Sequence, residues 1–268
     1  MTEEGSVSTQ EAAPKRSVSA PPATGGPPRN RWLTAAGVIC AAVLLLASSC
    51  SWRLGTPIPE GVPPPTGDPV PKIDTYAKGR PADQLREWAA ERAPALNIPP
   101  AALEAYAYAA RVAEVENPDC RLDWTTLAGI GQVESHHGTY RGAQIQPNGD
   151  VTPPIRGVRL DGSGGNLEII DNDADEDGDP VYARAMGPMQ FIPETWRLYG
   201  VDANNDDVIS PDNIDDAALS AAGYLCWTGK DLSTPRGWIT ALRAYNHSDS
   251  YARTVRDWAT AYANGHPL

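Results

Sequence analysis

Phenylalanine is nearly absent from this chain of 268 residues, and basic residues are outnumbered by acidic ones. The single Phe is offset by eight Trp and ten Tyr. Their rings can fill a core or line a sugar-binding site, because they combine apolar faces with polar edges. The 34 Asp and Glu against 22 Lys and Arg give a net charge of −12, which argues against a nucleic-acid partner.

Cysteine is also scarce, with four residues in the chain. Cys40 lies inside an apolar run and Cys50 ends it, so only Cys120 and Cys226 belong to the remainder. In an exported domain such a pair predicts a disulfide. Two buried free thiols are the alternative.

The N-terminal part of the chain has three compositions in succession. Residues 1–30 are rich in Ser, Pro, Ala, Gly and charge without apolar periodicity, which predicts a disordered tail. Residues 31–49 are largely apolar and follow Arg29, which is typical of a short membrane span with a cytoplasmic N-terminus. This segment is either an uncleaved signal anchor or a signal peptide. Small residues before Cys50 also resemble a lipoprotein cleavage box, in which Cys50 would be lipidated.

The remaining chain divides into a proline-rich linker at 50–72 and a folded domain at 73–268. Prolines in first-turn positions and apolar periodicity predict helices from Pro81 onward, including one at about Asp123–His137 and four more after Pro193. The stretch Gly142–Ala183 is rich in Gly, Asn, Asp and Pro, and predicts a long loop or short hairpin insertion. The fold class is therefore mainly α.

One glutamate stands on the apolar side of its predicted helix. At about 3.6 residues per turn, Glu134 falls on the same face as Leu127 and Ile130. A carboxyl in apolar surroundings has a raised pKa and can act as a proton donor near neutral pH. Gly129 and Gly131 are expected to leave the backbone open on that side. A buried structural glutamate paired with an Arg is the alternative, since structural networks also bury acids.

Three sequence blocks around this glutamate, GQVESHHG, AMGPMQFIPETWRLYGVD and LRAYNHSDSYA, resemble the motifs of lytic transglycosylases, in the same order. The closest resemblance is to the membrane-bound B type, over roughly residues 73–268. It implies a lysozyme-like, goose-type helical domain and cleavage of peptidoglycan glycan strands with Glu134 as the single acid and base. The product would be a 1,6-anhydromuramyl end. The chain would act on the extracytoplasmic face of the bacterial plasma membrane.

The resemblance also implies roles for other residues. Met189, Gln190 and Phe191 would line the glycan groove, and Tyr245 and Asn246 would lie near the bond that is cut. For Tyr245, packing in the core is an equally good interpretation, because Tyr245 shares a helix face with Leu242. Adjacent His136 and His137 point in different directions on a helix, which disfavours a zinc site.

Two acidic runs compete as calcium sites. The run Asp173–Gly178 matches the opening of an EF-hand loop, but Arg184 stands where a bidentate Glu is required. The second run begins at Asp202, with Asp207 where Gly belongs. The resemblance favours the second run and implies five oxygen ligands, from Asp202, Asn204, Asp206, the Val208 carbonyl and Asp216. A solvated acidic loop is the alternative for both.

Two other functions compete with lytic cleavage. A muramidase would hydrolyse the same bond and needs a second carboxylate about 5–9 Å from Glu134, and Asp123 and Asp150 are near it in sequence. A non-catalytic scaffold would bind peptidoglycan through the same groove. The position of Glu134 on an apolar face disfavours the scaffold, because a buried carboxyl without a function is costly.

Overall fold

The structure is a computed structural model that describes residues 62–165, 167–171 and 177–268. The predicted tail, the apolar segment with Cys40, and Cys50 lie outside the described residues, as do positions 173–176 of the first acidic run. In the part of the chain that is described, no helix has both the length and the apolar character that a bilayer crossing needs.

The described residues form seven α-helices and four short strands, which confirms the predicted mainly α class. The helices are α1 (Arg86–Leu96), α2 (Pro100–Glu116), α3 (Trp124–Ser135), α4 (Pro193–Tyr199), α5 (Ile214–Gly229), α6 (Pro235–Tyr245) and α7 (Asp249–Ala263). The strands are β1 (Gln144–Ile145), β2 (Val151–Thr152), β3 (Arg156–Arg159) and β4 (Arg184–Met186). Single 3-10 turns occupy Pro81–Leu85, Pro118–Cys120, Tyr140–Gly142 and Ser163–Gly165.

Short polar side chains begin several of these helices. Asp123 accepts a hydrogen bond from the Thr125 N–H at the start of α3. At the start of α5, the Asn213 side chain accepts hydrogen bonds from the Asp215 and Asp216 N–H groups. Thr234 and Ser248 cap α6 and α7. These caps satisfy backbone donors that a helix leaves free at its N-terminus.

The core is built from α2, α3 and α5, with α3 packed against α7 and α2 against α5. The two glycines of α3 serve this packing. A Cβ at Gly129 would lie 2.6 Å from the Val255 carbonyl oxygen, and one at Gly131 would lie 2.0 Å from the Tyr106 hydroxyl oxygen. The expectation that they open the backbone beside Glu134 is therefore wrong, because their open sides face α7 and α2.

The predicted insertion contains β1, β2 and β3, and β4 follows it directly. β1 pairs with β2, and β3 pairs with β4, each in antiparallel register. In the chain, β3 precedes most of the Gly- and Asp-rich stretch and β4 follows it. The segment after β4 leads into α4. One of the described carboxylates of the insertion, Asp179, pairs with Arg159 and Arg184. Arg184, which stands in place of an EF-hand glutamate, thus carries an ion pair.

Cys120 and Cys226 form a disulfide, with Cα atoms 5.3 Å apart, as the sequence predicts. The bond joins the turn before α3 to the end of α5. The loop that it closes spans 106 residues and contains the whole insertion. In a chain-entropy view, a cross-link over so long a loop strongly restricts the unfolded chain.

The proline-rich segment is packed against the domain at its C-terminal end. The indole N–H of Trp88 donates to the Pro69 carbonyl, and that of Trp124 donates to the Asp68 carbonyl. The Gly67 N–H donates to the Asp123 carboxylate. The packed chain therefore begins at least as early as Gly67, ahead of the boundary expected at residue 73.

A buried arginine joins the N-terminal turn to two helices. Arg80 forms two hydrogen bonds, of 2.7 and 2.9 Å, with the Asp215 carboxylate and also pairs with Glu104. Asp215 is fully buried and Glu104 is almost so. Burial raises the pKa of Asp215, and the Arg80 guanidinium opposes that rise. The cation thus stabilises a carboxylate at the start of α5 that has no access to water.

Candidate active site

A cleft of about 580 Å³ opens between the insertion and helices α4 to α6, and Glu134 lies in its wall. The insertion contributes an apolar side, and α5 and α6 contribute an aromatic and polar side. The other lining residues are Leu160, Leu167, Ile169, Ala185, Gln190, Phe191, Ile192, Thr195, Tyr224, Ala244, Tyr245, Asn246, His247 and Ser248. Among these described lining residues, Glu134 is the only carboxylic acid.

Glu134 occupies the last turn of α3 and is only partly exposed. Burial raises the pKa of its carboxyl to about 7, although a hydrogen bond from Tyr251 acts in the opposite direction. Near neutral pH the group therefore exchanges between its acid and carboxylate forms. This is the property that a single acid and base requires.

Tyr251 is the partner of Glu134 that the sequence analysis missed. Its hydroxyl donates to Glu134 Oε1 at 2.5 Å, across 117 positions of the chain. Burial, followed by the nearby Glu134 charge, raises the pKa of Tyr251 well above its usual value, so the hydroxyl keeps its proton. In sequence Tyr251 resembles a core residue of an amphipathic helix, because Val255 follows it at helical spacing.

The residue after the glutamate fixes the end of the helix. The Ser135 hydroxyl donates to the Pro188 carbonyl at 2.6 Å and accepts from the Gly138 N–H at 2.7 Å. Ser135 is buried, so both bonds are shielded from water. They attach the end of α3, and with it Glu134, to the AMGPMQF segment, whose Gln190 and Phe191 line the cleft.

The glycine of the AMGPMQF segment is required by its surroundings. Gly187 has φ +70°, and a Cβ there would lie 1.6 Å from the Pro211 carbonyl oxygen. Its N–H donates to the Ile155 carbonyl. This close approach packs the segment between the insertion and the loop that precedes α5.

The three residues assigned to the glycan groove do not occupy equivalent positions. Gln190 and Phe191 line the cleft, and the Gln190 side-chain amide donates to the Gly187 carbonyl at 2.8 Å. Met189 has 0% exposure and is absent from the described cleft wall, which corrects its expected side-chain role. Its backbone carbonyl instead accepts the Tyr245 hydroxyl at 2.8 Å.

Tyr245 and Asn246 both line the cleft at the end of α6. The Tyr245 ring contacts Phe191 at 5.8 Å and Tyr224 at 6.0 Å between centroids. One part of the Tyr245 ring therefore packs against the core and another faces the cleft. Asn246 is exposed, and its amide is accessible from the cleft.

The two histidines that follow Glu134 have different environments, and both lie beyond the end of α3, with φ of +50° and +57°. His136 is exposed, whereas His137 is buried between the hydroxyls of Tyr106 and Tyr262, at 3.2 and 2.9 Å. Burial lowers the pKa of His137 to about 3, so this ring is neutral. It joins α2, α3 and α7 through hydrogen bonds.

Four of the five residues that the resemblance implies as calcium ligands lie in the loop between α4 and α5, and Asp216 lies in the first turn of α5. Asp202 and Asn204 accept from the Asp206 N–H, and Asp216 accepts from the Ala203 and Ser210 N–H groups. Burial, followed by the Asp202 and Asp206 charges, raises the pKa of Asp216 to about 7. Within the described ranges, no group of three or more Asp, Glu, His or Cys side chains is already arranged to hold a metal ion.

Comparison with known proteins identifies one family. Residues 167–238 match the family described as Transglycosylase SLT domain. The match includes the AMGPMQF segment and the acidic loop, but neither Glu134 nor Tyr245. No curated protein matches the chain.

Among solved structures, SltB3 from Pseudomonas aeruginosa, in complex with NAG-anhNAM-pentapeptide, is 16% identical with a TM-score of 0.35. The alignment covers 73% of this chain and 76% of that chain. This degree of similarity carries no argument about the present chain. Over residues 167–238, the family match confirms the predicted resemblance to lytic transglycosylases.

Proposed function

We propose that this protein is a peptidoglycan lytic transglycosylase in which Glu134 acts alone as acid and base. The observation that carries the proposal is a carboxyl of pKa about 7 in a glycan-sized cleft beside an SLT-type sequence segment. The target is the β-1,4 bond between N-acetylmuramic acid and N-acetylglucosamine. Aromatic and apolar walls with a few polar groups suit a sugar strand.

The geometry supports a two-step proton cycle. Protonated Glu134 donates its proton to the oxygen that leaves C1 of the muramic acid, and the C1–O bond breaks. The N-acetyl group of the sugar or fixed dipoles support the positive charge at C1. The Glu134 carboxylate, which Tyr251 stabilises, then takes the proton of the C6 hydroxyl while the C6 oxygen bonds to C1. The product is a 1,6-anhydro end, and no water is consumed.

The positions of the other acids support this mechanism over hydrolysis by two carboxylates. Asp123 caps the opposite end of α3, roughly 16 Å from Glu134 along the helix axis, beyond the 5–9 Å that paired carboxylates need. Asp150 bonds to the side chains of Asn148 and Asn213 and is outside the described cleft wall.

The mass of the products tests the proposal. Purified sacculi digested with the protein should release disaccharide units that are one water lighter than the products of a muramidase. Fragments with the full hydrolytic mass would reassign the protein as a hydrolase. Binding to sacculi without any release of fragments would favour the scaffold.

Replacing Tyr251 by Phe should move the alkaline limb of the pH–activity profile to higher pH. The activity requires protonated Glu134, so it declines as the pH rises through a pKa of about 7. The Tyr251 hydroxyl stabilises the carboxylate, and its removal therefore raises the pKa of Glu134 further. The limb is measured as kcat/KM against pH on soluble glycan strands.

The control for this shift is Tyr262→Phe, on the same helix. The Tyr262 hydroxyl bonds to His137 and Gln132, not to Glu134. This variant should keep the position of the limb. If Tyr251→Phe leaves the limb in place or moves it downward, the limb does not report Glu134.

We further propose that calcium stabilises the loop between α4 and α5. Its ligands would be Asp202, Asn204, Asp206, Asp216 and the Val208 carbonyl. Hard oxygen donors in this order suit calcium. Asp207 already has φ +65°, the backbone conformation for which an EF-hand uses glycine. The ion would be structural and would take no part in the proton cycle.

Calcium should raise the free energy of unfolding of the wild-type protein, by about 2.7 kcal/mol at 100 times the Kd. Asp206→Asn removes a ligand charge and should weaken this effect. Asp207→Asn neutralises the adjacent acid, which is not a ligand, and should retain it. The measurement is urea unfolding with calcium or with EGTA. Identical stability of the wild type in both would contradict the site.

We also propose that the domain acts on the extracytoplasmic face of the bacterial plasma membrane, through a signal anchor or an acylated Cys50. The disulfide between Cys120 and Cys226 supports an oxidising compartment. Protease added to intact spheroplasts should then digest the domain. Full protection from the protease would contradict this location.

A further inference from the structure

A second groove, of about 1140 Å³, lies next to the catalytic cleft and has no role in the proposed proton cycle. Helices α4 and α5 contribute to both depressions. In α4, Thr195 lines the cleft, whereas Leu198 and Tyr199 line the groove. In α5, Tyr224 lines the cleft, whereas Trp227 lines the groove.

Aromatic rings connect the two depressions in an unbroken series. From the cleft outward, the ring centroids of Tyr245 and Tyr224 are 6.0 Å apart, those of Tyr224 and Tyr199 are 4.9 Å apart, and those of Tyr199 and Trp227 are 6.0 Å apart. Neighbouring ring planes are inclined by 54°, 62° and 56°, so the rings are tilted against one another rather than stacked in parallel. We call Tyr224, Tyr199 and Trp227 the aromatic track.

The outer end of the track is exposed. Trp227 is 61% exposed, although a large aromatic side chain gains free energy when it is covered. The Lys230 ammonium lies 5.5 Å from the indole centroid. A sugar that lies on the indole would thus meet an apolar face together with a hydrogen-bond donor for its hydroxyl groups.

The charges of the groove favour an uncharged ligand or a basic one over an acidic one. Its lining includes four acids, Glu116, Asp119, Asp202 and Asp231. The two cations are Arg121, which pairs with Asp231 at 3.0 Å, and Lys230. Continuity with a cleft that fits a neutral sugar backbone favours a glycan over a basic peptide.

We propose that the aromatic track is a distal binding site for the uncharged aminosugar backbone of long glycan strands, continuous with the cleft. This inference rests on the proposed function and adds a substrate-length preference to it. A strand bound at Glu134 would extend past Tyr224 and Tyr199 to stack on Trp227. Short fragments that fill only the cleft would not reach the outer end.

Trp227→Ala should weaken binding of long strands about 3- to 10-fold, which corresponds to the loss of one stacking contact. Binding is measured in the Glu134→Gln background by titration with soluble N-acetylglucosamine oligomers of increasing length, which carry the aminosugar backbone without a charge. Turnover is measured in the wild-type background, where KM for long strands should rise and kcat should stay the same. Trp227→Phe keeps an aromatic face and should restore most of the affinity.

Tyr140→Ala is the matched control. Tyr140 is 41% exposed and has the Arg141 guanidinium 5.2 Å from its ring centroid, but it lines neither depression. This variant should bind strands of every length as the wild type does. An equal loss in Tyr140→Ala and Trp227→Ala would overturn the proposal, because it would show a general surface effect.

A second variant blocks the track without removing an aromatic ring. Gly223 lies in the groove on α5, and a Cβ added there would meet no atom within 4 Å. Gly223→Leu should therefore fold, since leucine favours a helix more than glycine does, and should also weaken binding of long strands. Unchanged long-strand binding in both Trp227→Ala and Gly223→Leu would overturn the distal site and favour a protein partner for the groove. If the wild type releases no fragments from any strand, the proposed function itself fails.

Discussion

Glu134→Gln should lower the release of anhydro-ended fragments from sacculi by about 10²- to 10⁴-fold, the contribution of a positioned acid or base. Glutamine keeps the shape of the side chain and can still accept the Tyr251 hydrogen bond. It cannot donate a proton to the leaving oxygen or take one from the C6 hydroxyl. The measurement is the initial rate of fragment release, with product masses, beside the wild type.

Glu194→Gln is the control for this loss. Glu194 is an exposed acid in the first turn of α4, next to Thr195 of the cleft wall. Its neutralisation should leave the rate within about twofold, because exposed charges are weakly coupled to a site. Turnover by Glu134→Gln at a tenth of the wild-type rate or more would reject Glu134 as the acid and base.

Glu134→Gln should not destabilise the fold at alkaline pH. The folded-state pKa of Glu134 lies above the value of an unfolded glutamate, so the wild type loses stability as the pH rises through about 7. Glutamine does not ionise and escapes this loss. Urea unfolding at pH 8 should therefore find Glu134→Gln as stable as the wild type or more so, which separates loss of chemistry from loss of structure.

Arg80→Met should lower the free energy of unfolding by about 3–5 kcal/mol at neutral pH, because it leaves a buried carboxylate without its cation. Asp215 is fully buried and would lose two hydrogen bonds, and Glu104 would lose its ion pair. The loss should be smaller in acid. Burial raises the pKa of Asp215, so the penalty for its charge appears as the pH rises and is absent once the carboxyl is protonated.

Arg86→Met provides the comparison for Arg80. Arg86 also pairs with a carboxylate, Asp83, but its side chain is 68% exposed. Such surface pairs contribute little, so this variant should stay within about 1 kcal/mol of the wild type. Urea unfolding at pH 7 distinguishes the two. Equal effects of the two substitutions would mean that the buried network does not support the start of α5.

The location of the helices was largely predictable from the sequence. The prolines at the start of α4 and α6 and the capping residues of α3 and α7 are local signals, because a helix end is decided by side chains within a few residues of it. The insertion was predictable for the same reason. Its Gly, Asn, Asp and Pro content predicts irregular backbone over any stretch in which it is found.

The roles of the glycines and of Met189 could not be predicted in this way. Gly131 faces the Tyr106 hydroxyl, which lies on a different helix, and Met189 is turned away from the cleft. Periodicity gives the direction of a side chain from its helix axis but not what lies in that direction. The packing of the proline-rich end could not be predicted either. Trp88 and Trp124 donate to its backbone carbonyls, and a backbone carbonyl is present in every residue, so it gives no sequence signal.

The sequence by itself determined that Glu134 points to the apolar side of α3, because that direction follows from helical repeat alone. It also determined which two cysteines were available to pair. Only the tertiary structure decided that Tyr251 donates to Glu134 and that Ser135 fastens the helix end to the Pro188 carbonyl. The contacts of Tyr224, Tyr199 and Trp227 beside the cleft were likewise decided by the tertiary structure alone. These contacts join residues from separate elements, and their distances depend on how the helices pack.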